Sequence, residues 1–373
     1  MDFAFSKDQE EFRSSLRRFL TEKAPLSSVR AASETDLGYD PLLWKQMSEQ
    51  LGLPGLHIAE EHGGSGTGLL EPAVVLEETG RALSSSPYLA GLFASLAVQR
   101  MGSPDMQAEL LPRIASGEAV VTLATIEVAS PTGTRGLTTT AHSRGDQVTL
   151  TGTKTLVEHG HSADVLLVSA VGADAPTGDA RLYVVQGDAA GLTRTWQKTA
   201  LDLTRPVAEV VFDGTPAVAL GDPSPGALDE LVDLFCALLA SEMVGGTEAC
   251  LTMAVSYAKE RMQFNRPIGS FQAIKHKCAE MMIALDGARA AAQYAVMVAD
   301  SGSSELSTVG PLAKAEAAEA FTFSANWAIQ VLGGIGFTWE QDAHLYFRRA
   351  WADSGLLGGP AAQRARLADR IGL

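Results

Sequence analysis

The residue types that can grip an anionic ligand fall into two short stretches of the C-terminal half. Arg261 and Phe264 stand three apart in KERMQFNRPIGSFQAIKH, residues 259–276, a segment punctuated by Pro267 and Gly269. Gln330, Gly333, Gly334 and Gly336 follow in QVLGGIGFT, residues 330–338. An arginine can clamp phosphate oxygens through charge-assisted hydrogen bonds. Paired glycines let a backbone approach such a group closely and offer amides as donors. Each stretch also has a plain structural reading: an arginine at a helix end as a solvated cap, and Gly-Gly after a helix as its C-cap. A third candidate is Glu242, the acid in the apolar run LLASEMVGGTE. Burial there would perturb its pKa and suit it to take a proton. The alternative is a structural carboxylate at a helix interface.

The elements that must position these residues are readable from periodicity. Phe12, Leu16, Phe19 and Leu20 share one helical face, and Ser6 with Gln9 predicts a capping box at its start. Helices are expected over residues 42–51 and 70–83, with a glycine loop at residues 63–68 between them. From residue 119 to about 220 the pattern changes. VTLTGTKTLV, DVLLVSAV, RLYVVQ and AEVVFDG read as short strands separated by Gly, Asp and Pro. GDPSPGAL, residues 221–228, marks a linker. Helical spacing then resumes through residues 228–257, 279–299 and 312–332. Gly245 and Gly246 interrupt the first of these and predict close helix–helix approach. The expected class is α+β multidomain: a helical domain over residues 1–118, a β-barrel-like domain over 119–222, and a four-helix bundle over 227–373.

Composition narrows the function. The 373 residues suffice for several domains around large cores. The formal net charge is −15, from 44 acids against 29 bases, which argues against a nucleic-acid partner. Cys236, Cys250 and Cys278 show no metal-ligand spacing and read as buried thiols. The sequence shows no secretion signal and no bilayer-length apolar run, so a cytoplasmic protein away from membranes is expected.

With these stretches in this order, the chain resembles the acyl-CoA dehydrogenase family, flavoenzymes that desaturate acyl-CoA thioesters. Glu77, Gly80 and Arg81 match a further motif, Glu-x-x-Gly-Arg, after the glycine loop. The resemblance implies FAD as cofactor, held between the β domain of one subunit and the bundle of its neighbour. Arg261, Phe264, Gln330, Gly333 and Gly334 match the residues such a neighbour donates, although Asn265 stands where the family usually has glycine. Other family features are absent. Leu156, Val157 and Glu158 replace the Trp-Ile-Thr run that faces the flavin ring, and Glu158 would repel a reduced, anionic flavin. Leu357 stands at one family position for the base, and Phe235 with Cys236 at the other.

The split implies one subunit of an α2β2 acyl-CoA dehydrogenase, of the kind found in bacterial steroid degradation, which lends contacts to a catalytic partner. A self-sufficient homotetramer using Glu242 as base remains a second reading, and a non-catalytic scaffold a third. The family's usual electron acceptor is electron transfer flavoprotein.

Overall fold

The computed structural model describes residues 5–145, 147–175, 178–198 and 201–373. Its first helix, α1 (Lys7–Lys23), starts with the capping box: Ser6 Oγ accepts from the Gln9 amide, and Gln9 Oε1 accepts from the Ser6 amide. Then come α2 (Leu26–Ser33), α3 (Pro41–Lys45), α4 (Leu70–Ala82), α5 (Tyr88–Met101) and α6 (Pro104–Ala115). The strands are β1 (Val121–Ala124), β2 (Thr140–Arg144), β3 (Gln147–Glu158), β4 (Val165–Gly172), β5 (Arg181–Gln186), β6 (Leu192–Trp196) and β7 (Val207–Ala219). Helix α7 (Ala227–Glu260) leads to a small hairpin of β8 (Met262–Gln263) and β9 (Arg266–Pro267). The chain ends with α8 (Gln272–Asp300), α9 (Leu306–Leu332), α10 (Ala343–Gly355) and α11 (Pro360–Ile371). No helix among the described residues is long and apolar enough to cross a membrane.

The helical, β and helical segments follow one another as the sequence predicts, but compactness groups them differently. One unit holds the described residues up to Arg30, then Ala73–Ser84 and Cys236–Leu373; the other holds Ala31–Pro72 and Ser85–Phe235. The reason α1 and α4 belong with the C-terminal helices is electrostatic as well as apolar. Arg17 makes a bidentate pair with Glu78 at 2.7 and 2.8 Å and reaches Glu248 at 3.0 Å. Arg289 bridges Glu77 and Glu248, at 3.0 and 2.6 Å. In the same unit α8, α10 and α11 all pack against α9.

In the other unit, the strands connect as β4–β2–β3–β7–β5 and back to β4, a closed circuit with β1 added on β4 and β6 on β7. Closure removes sheet edges from the circuit, and this is the barrel-like domain expected. Strand β4 is buried on both faces, which explains its unbroken apolar run. Leu150, Val157, Leu166, Val168, Val210 and Phe212 form part of the core.

That unit also buries two opposite charges. Lys154 and Glu127 are almost inaccessible to solvent, and Nζ lies 2.7 Å from Oε1. Lys154 also donates to Ser169 Oγ and the Thr125 carbonyl, and Glu127 accepts from the amides of Thr138 and Thr139 and from the Thr138 hydroxyl. Burial by itself would raise the Glu127 pKa. The Lys154 charge and the Thr138 donors outweigh it and hold the carboxyl at about 2. Removing one partner strands the other in a dry interior, at a cost of about 3–5 kcal/mol. Lys154→Met is therefore expected to lower the urea midpoint sharply, and adding Glu127→Gln to recover much of the loss. The unfolded carboxyl protonates near its ordinary 4.5 and the folded one near 2. The stability this group contributes is complete above that higher value and drains as pH falls through the interval. Acid unfolding curves of the wild type and the double variant check this.

Candidate functional site

Helix α7 ends at Glu260, and the chain turns at once into the β8–β9 hairpin. Gln263 pairs with Arg266, leaving Phe264 and Asn265 as a two-residue loop. Both have positive φ, +50° and +62°. This is the backbone of a type I′ turn, whose twist suits a tight hairpin. Asn265 tolerates that conformation, so the turn survives without the family's glycine. Phe264 does not tolerate it well; a left-handed residue of this size costs roughly 1–2 kcal/mol. Its ring is 85% exposed, with an edge contact to Phe271 at 6.0 Å. Gly269 lets the segment after the hairpin fold back on α7, since a Cβ there would lie 2.8 Å from the Ala258 carbonyl oxygen. Arg261 is exposed and has no ion-pair partner among the described residues.

The second motif closes α9. Gln330 is exposed on its last turn, and Gly333 is the C-cap, with φ +68° and ψ −145°, a region open in practice to glycine alone. Gly334 is exposed, with open space where a side chain would be. Gly336 is buried under Leu332 and anchors the turn from inside. Phe337 projects into solvent, 80% exposed, and Trp339 is packed edgewise by His344 and covered by the Arg348 guanidinium. The C-cap role leaves Gly334 open, because Gly333 caps with its own amide. An exposed guanidinium in one stretch and accessible glycine backbone in the other are the donor types that suit a phosphate-bearing cofactor such as a flavin dinucleotide.

Glu242 is placed differently. It is 5% exposed on α7, and its Oε1 accepts from Arg349 Nη1 of α10 at 2.8 Å. Arg349 is itself buried. Beside it, α4 crosses α7 so closely that a Cβ on Gly80 would lie 2.2 Å from the Glu242 carbonyl oxygen. The glycine pair next to it has the same effect: a Cβ on Gly246 would strike the Phe321 ring at 2.3 Å. The close approach predicted at Gly245–Gly246 is present, and α7 passes through it unbroken. Glu242 thus sits in a dense helix junction with a buried guanidinium on one of its oxygens.

At the alternative base positions, Leu357 is buried with φ +58°, Phe235 stacks on Phe93 at 4.1 Å, and Cys236 is buried. The turn bearing Leu357 is held by two side chains the sequence reading passed over. Lys314, fully buried on α9, donates to the carbonyls of Ser354 at 2.6 Å and Gly358 at 2.8 Å. Gln363, fully buried on α11, donates to the Leu357 carbonyl. The signal for Lys314 was its phase: it shares the apolar face of α9 with Gly310, Ala317 and Phe321.

On the barrel, Leu156 has φ +52° and is about half exposed, while Val157 enters the core. Glu158 is not an isolated negative charge, because Arg205 Nη1 lies 3.9 Å from its Oε2. A carboxylate, a leucine and an already engaged guanidinium do not fit a flavin ring.

Comparison with known proteins gives two family matches: "Acyl-CoA dehydrogenase, N-terminal domain" at residues 6–118 and "Acyl-CoA dehydrogenase, C-terminal domain" at residues 233–372. Acyl-CoA dehydrogenase IpdE2 of Mycolicibacterium smegmatis is 36% identical over 97% of this chain and 98% of its own length. IpdE2 of Mycobacterium tuberculosis is 33% identical, covering 98% of each. Among solved structures, a variant of the Tcur3481–Tcur3483 steroid ACAD is 32% identical, covers 98% of both chains and has a TM-score of 0.88. The ChsE4–ChsE5 complex from Mycobacterium tuberculosis is 26% identical, covers 100% of this chain and 99% of that one, and has a TM-score of 0.90.

Two outcomes follow from the buried groups. Arg349→Met leaves the Glu242 carboxylate in a dry junction and should cost about 3–5 kcal/mol in urea unfolding. Burial pushes the Lys314 ammonium from 10.5 down to about 8. Between those values the unfolded lysine keeps a proton that the folded one has released, so stability rises with pH across the window. Thermal melts on either side of it should show a smaller rise in Lys314→Met.

Proposed function

Because the chain belongs to the acyl-CoA dehydrogenase family of oxidoreductases, we propose that it works as one subunit of an FAD-dependent acyl-CoA dehydrogenase whose unlike partner, of the same fold, carries the base. FAD, when bound, would supply the acceptor for the hydride that leaves the substrate as the base takes the neighbouring proton. In this division Arg261 holds the cofactor's pyrophosphate, the backbone at Gly333 and Gly334 lets it approach, Gln330 adds a polar contact, and Phe264 presents its ring. The observation that carries the reading is an asymmetry. The residues suited to donation are exposed and open. The positions that would hold a base carry Leu357, Phe235 and Cys236, all buried and unable to serve as a carboxylate base.

The substrate in this reading is an acyl-CoA thioester. A steroid-derived acyl group is favoured by the full-length similarity to a steroid ACAD, and an α2β2 assembly by the similarity to the ChsE4–ChsE5 complex. Electron transfer flavoprotein is the acceptor that family resemblance suggests.

One observation favours a second reading. Glu242 is a buried carboxylate on α7, and a homotetramer using it as base would need no partner. Its engagement by Arg349 weighs against this, since the guanidinium ties the carboxylate into the buried junction of α7 with α10.

The test is flavin content and turnover of the chain purified alone and co-purified with an unlike acyl-CoA dehydrogenase subunit. The subunit reading expects flavin and turnover in the complex and little of either alone. In the complex, Arg261→Ala should weaken FAD binding at least about tenfold, a loss of roughly 1.4 kcal/mol, and Glu242→Gln should leave turnover intact. Stoichiometric flavin and full turnover in the chain alone, both unaffected by co-purification, would sink it. Loss of that turnover in Glu242→Gln, with flavin retained, would identify the second reading.

A further inference from the structure

We propose that Glu158 and Arg205 form a built-in charge pair that keeps the flavin ring off this chain's own barrel, so that the pair, rather than a general loss of the site, makes the subunit a donor. The inference rests on the subunit reading and supplies its physical cause.

The distortion is local. After an earlier register shift between Leu150 and Thr151, strand β3 pairs with β7 without a break from Thr151 to Lys154, opposite Val210, and the register resumes at Val157, opposite Ala208. Three steps along β3 are matched by two along β7, which is a bulge of one residue. Leu156 lies in this bulge with positive φ and turns outward. Beyond it the strand is rigidly held. Thr122 Oγ1 donates to the Glu158 carbonyl at 2.6 Å, and the His159 amide donates to the Pro206 carbonyl at 2.8 Å. The Arg205 side is equally fixed. Asp202 Oδ1 accepts from the Thr204 amide at 2.8 Å and the Thr204 hydroxyl at 2.7 Å. Asp202, Thr204 and Arg205 are all buried. Two anchored backbones therefore present a carboxylate and a guanidinium to each other at 3.9 Å, with Glu158 still partly open to water.

An isoalloxazine ring offers mainly acceptor atoms along its polar edge. A carboxylate can only accept, so it faces those atoms without a hydrogen bond to make. The guanidinium is buried and held to Glu158 by charge at 3.9 Å rather than by a hydrogen bond through Nη1. A ring laid over the pair would strip the water still left at Glu158, and desolvating that carboxylate opposes the ring contact. Neutral residues at both positions remove that cost while the rest of the barrel stays as it is.

The experiment uses the full chain, purified alone, titrated with FAD and followed by quenching of flavin fluorescence. Glu158→Thr with Arg205→Ser, and the same pair with Leu156→Trp, are expected to bind FAD at least tenfold more tightly than the wild type. Arg205→Ser alone leaves a bare carboxylate and should give no gain. Adding Arg261→Ala to the neutralised variant should abolish the gain, because the neighbouring copy then lacks its clamp. Wild-type binding within twofold of the neutralised variant would overturn the proposal. If the variant does not fold alone, flavin is counted in the complex with the unlike subunit. The expectation is a rise from one per pair of subunits towards two, and a folded complex that stays at one overturns it. The subunit reading is judged separately: it fails if Arg261→Ala leaves the wild-type complex's flavin unchanged, whatever the neutralised variant does.

Discussion

A Cβ at residue 245 would lie 1.8 Å from the carbonyl oxygen of Glu77, and that one contact governs much of its unit. Backbone meets backbone where α4 crosses α7, so neither helix can slide or rotate there. The crossing brings Glu77 and Glu248 within reach of a common arginine, Arg289, and sets Glu242 against Arg349. It also fixes the axis along which α7 runs to its C-terminus, where the hairpin presents Arg261 and Phe264. Arg261 and Phe264 sit on or beside a short, tight hairpin at the end of a long helix locked by glycine. This is a sound way to hold surface groups in a defined position without a ligand.

The features legible in the sequence were local ones. The Ser6–Gln9 capping box, the double glycine of α7, the positive φ of Asn265 and the apolar runs of β3, β4, β5 and β7 follow from residue type and spacing alone. What escaped were partnerships across long stretches of chain. Glu242 read as a buried acid, but Arg349 lies 107 residues away and nothing near Glu242 announces it. Glu127 and Lys154 stand 27 residues apart with nothing in either local run to pair them, yet each is buried against the other. Glu158 was read as an unbalanced charge because Arg205 arrives from a different segment. The same limit explains the grouping into units: periodicity marks a helix but does not say which end of the chain it will pack against.

The chain also uses lysine where an apolar side chain would have been simpler. Lys314 lies among alanines and ties down two carbonyls of the turn that carries Leu357. A turn that leaves α10 with positive φ at Leu357 and Gly358 has carbonyls directed inward, and inward carbonyls need donors. A buried ammonium supplies several at once. The turn that carries Leu357 is thereby held from inside the unit.

Exposed side chains carry a further meaning. Phe264, Phe337, Trp339 and Ile283 all face solvent on the same unit, and Phe264 does so at the expense of its backbone geometry. Exposed apolar side chains are what chaperones and proteases recognise on proteins that have lost a companion. In the subunit reading an unlike partner would cover these side chains, and the chain's abundance in the cell would then follow that of its counterpart: losing either polypeptide would lower both.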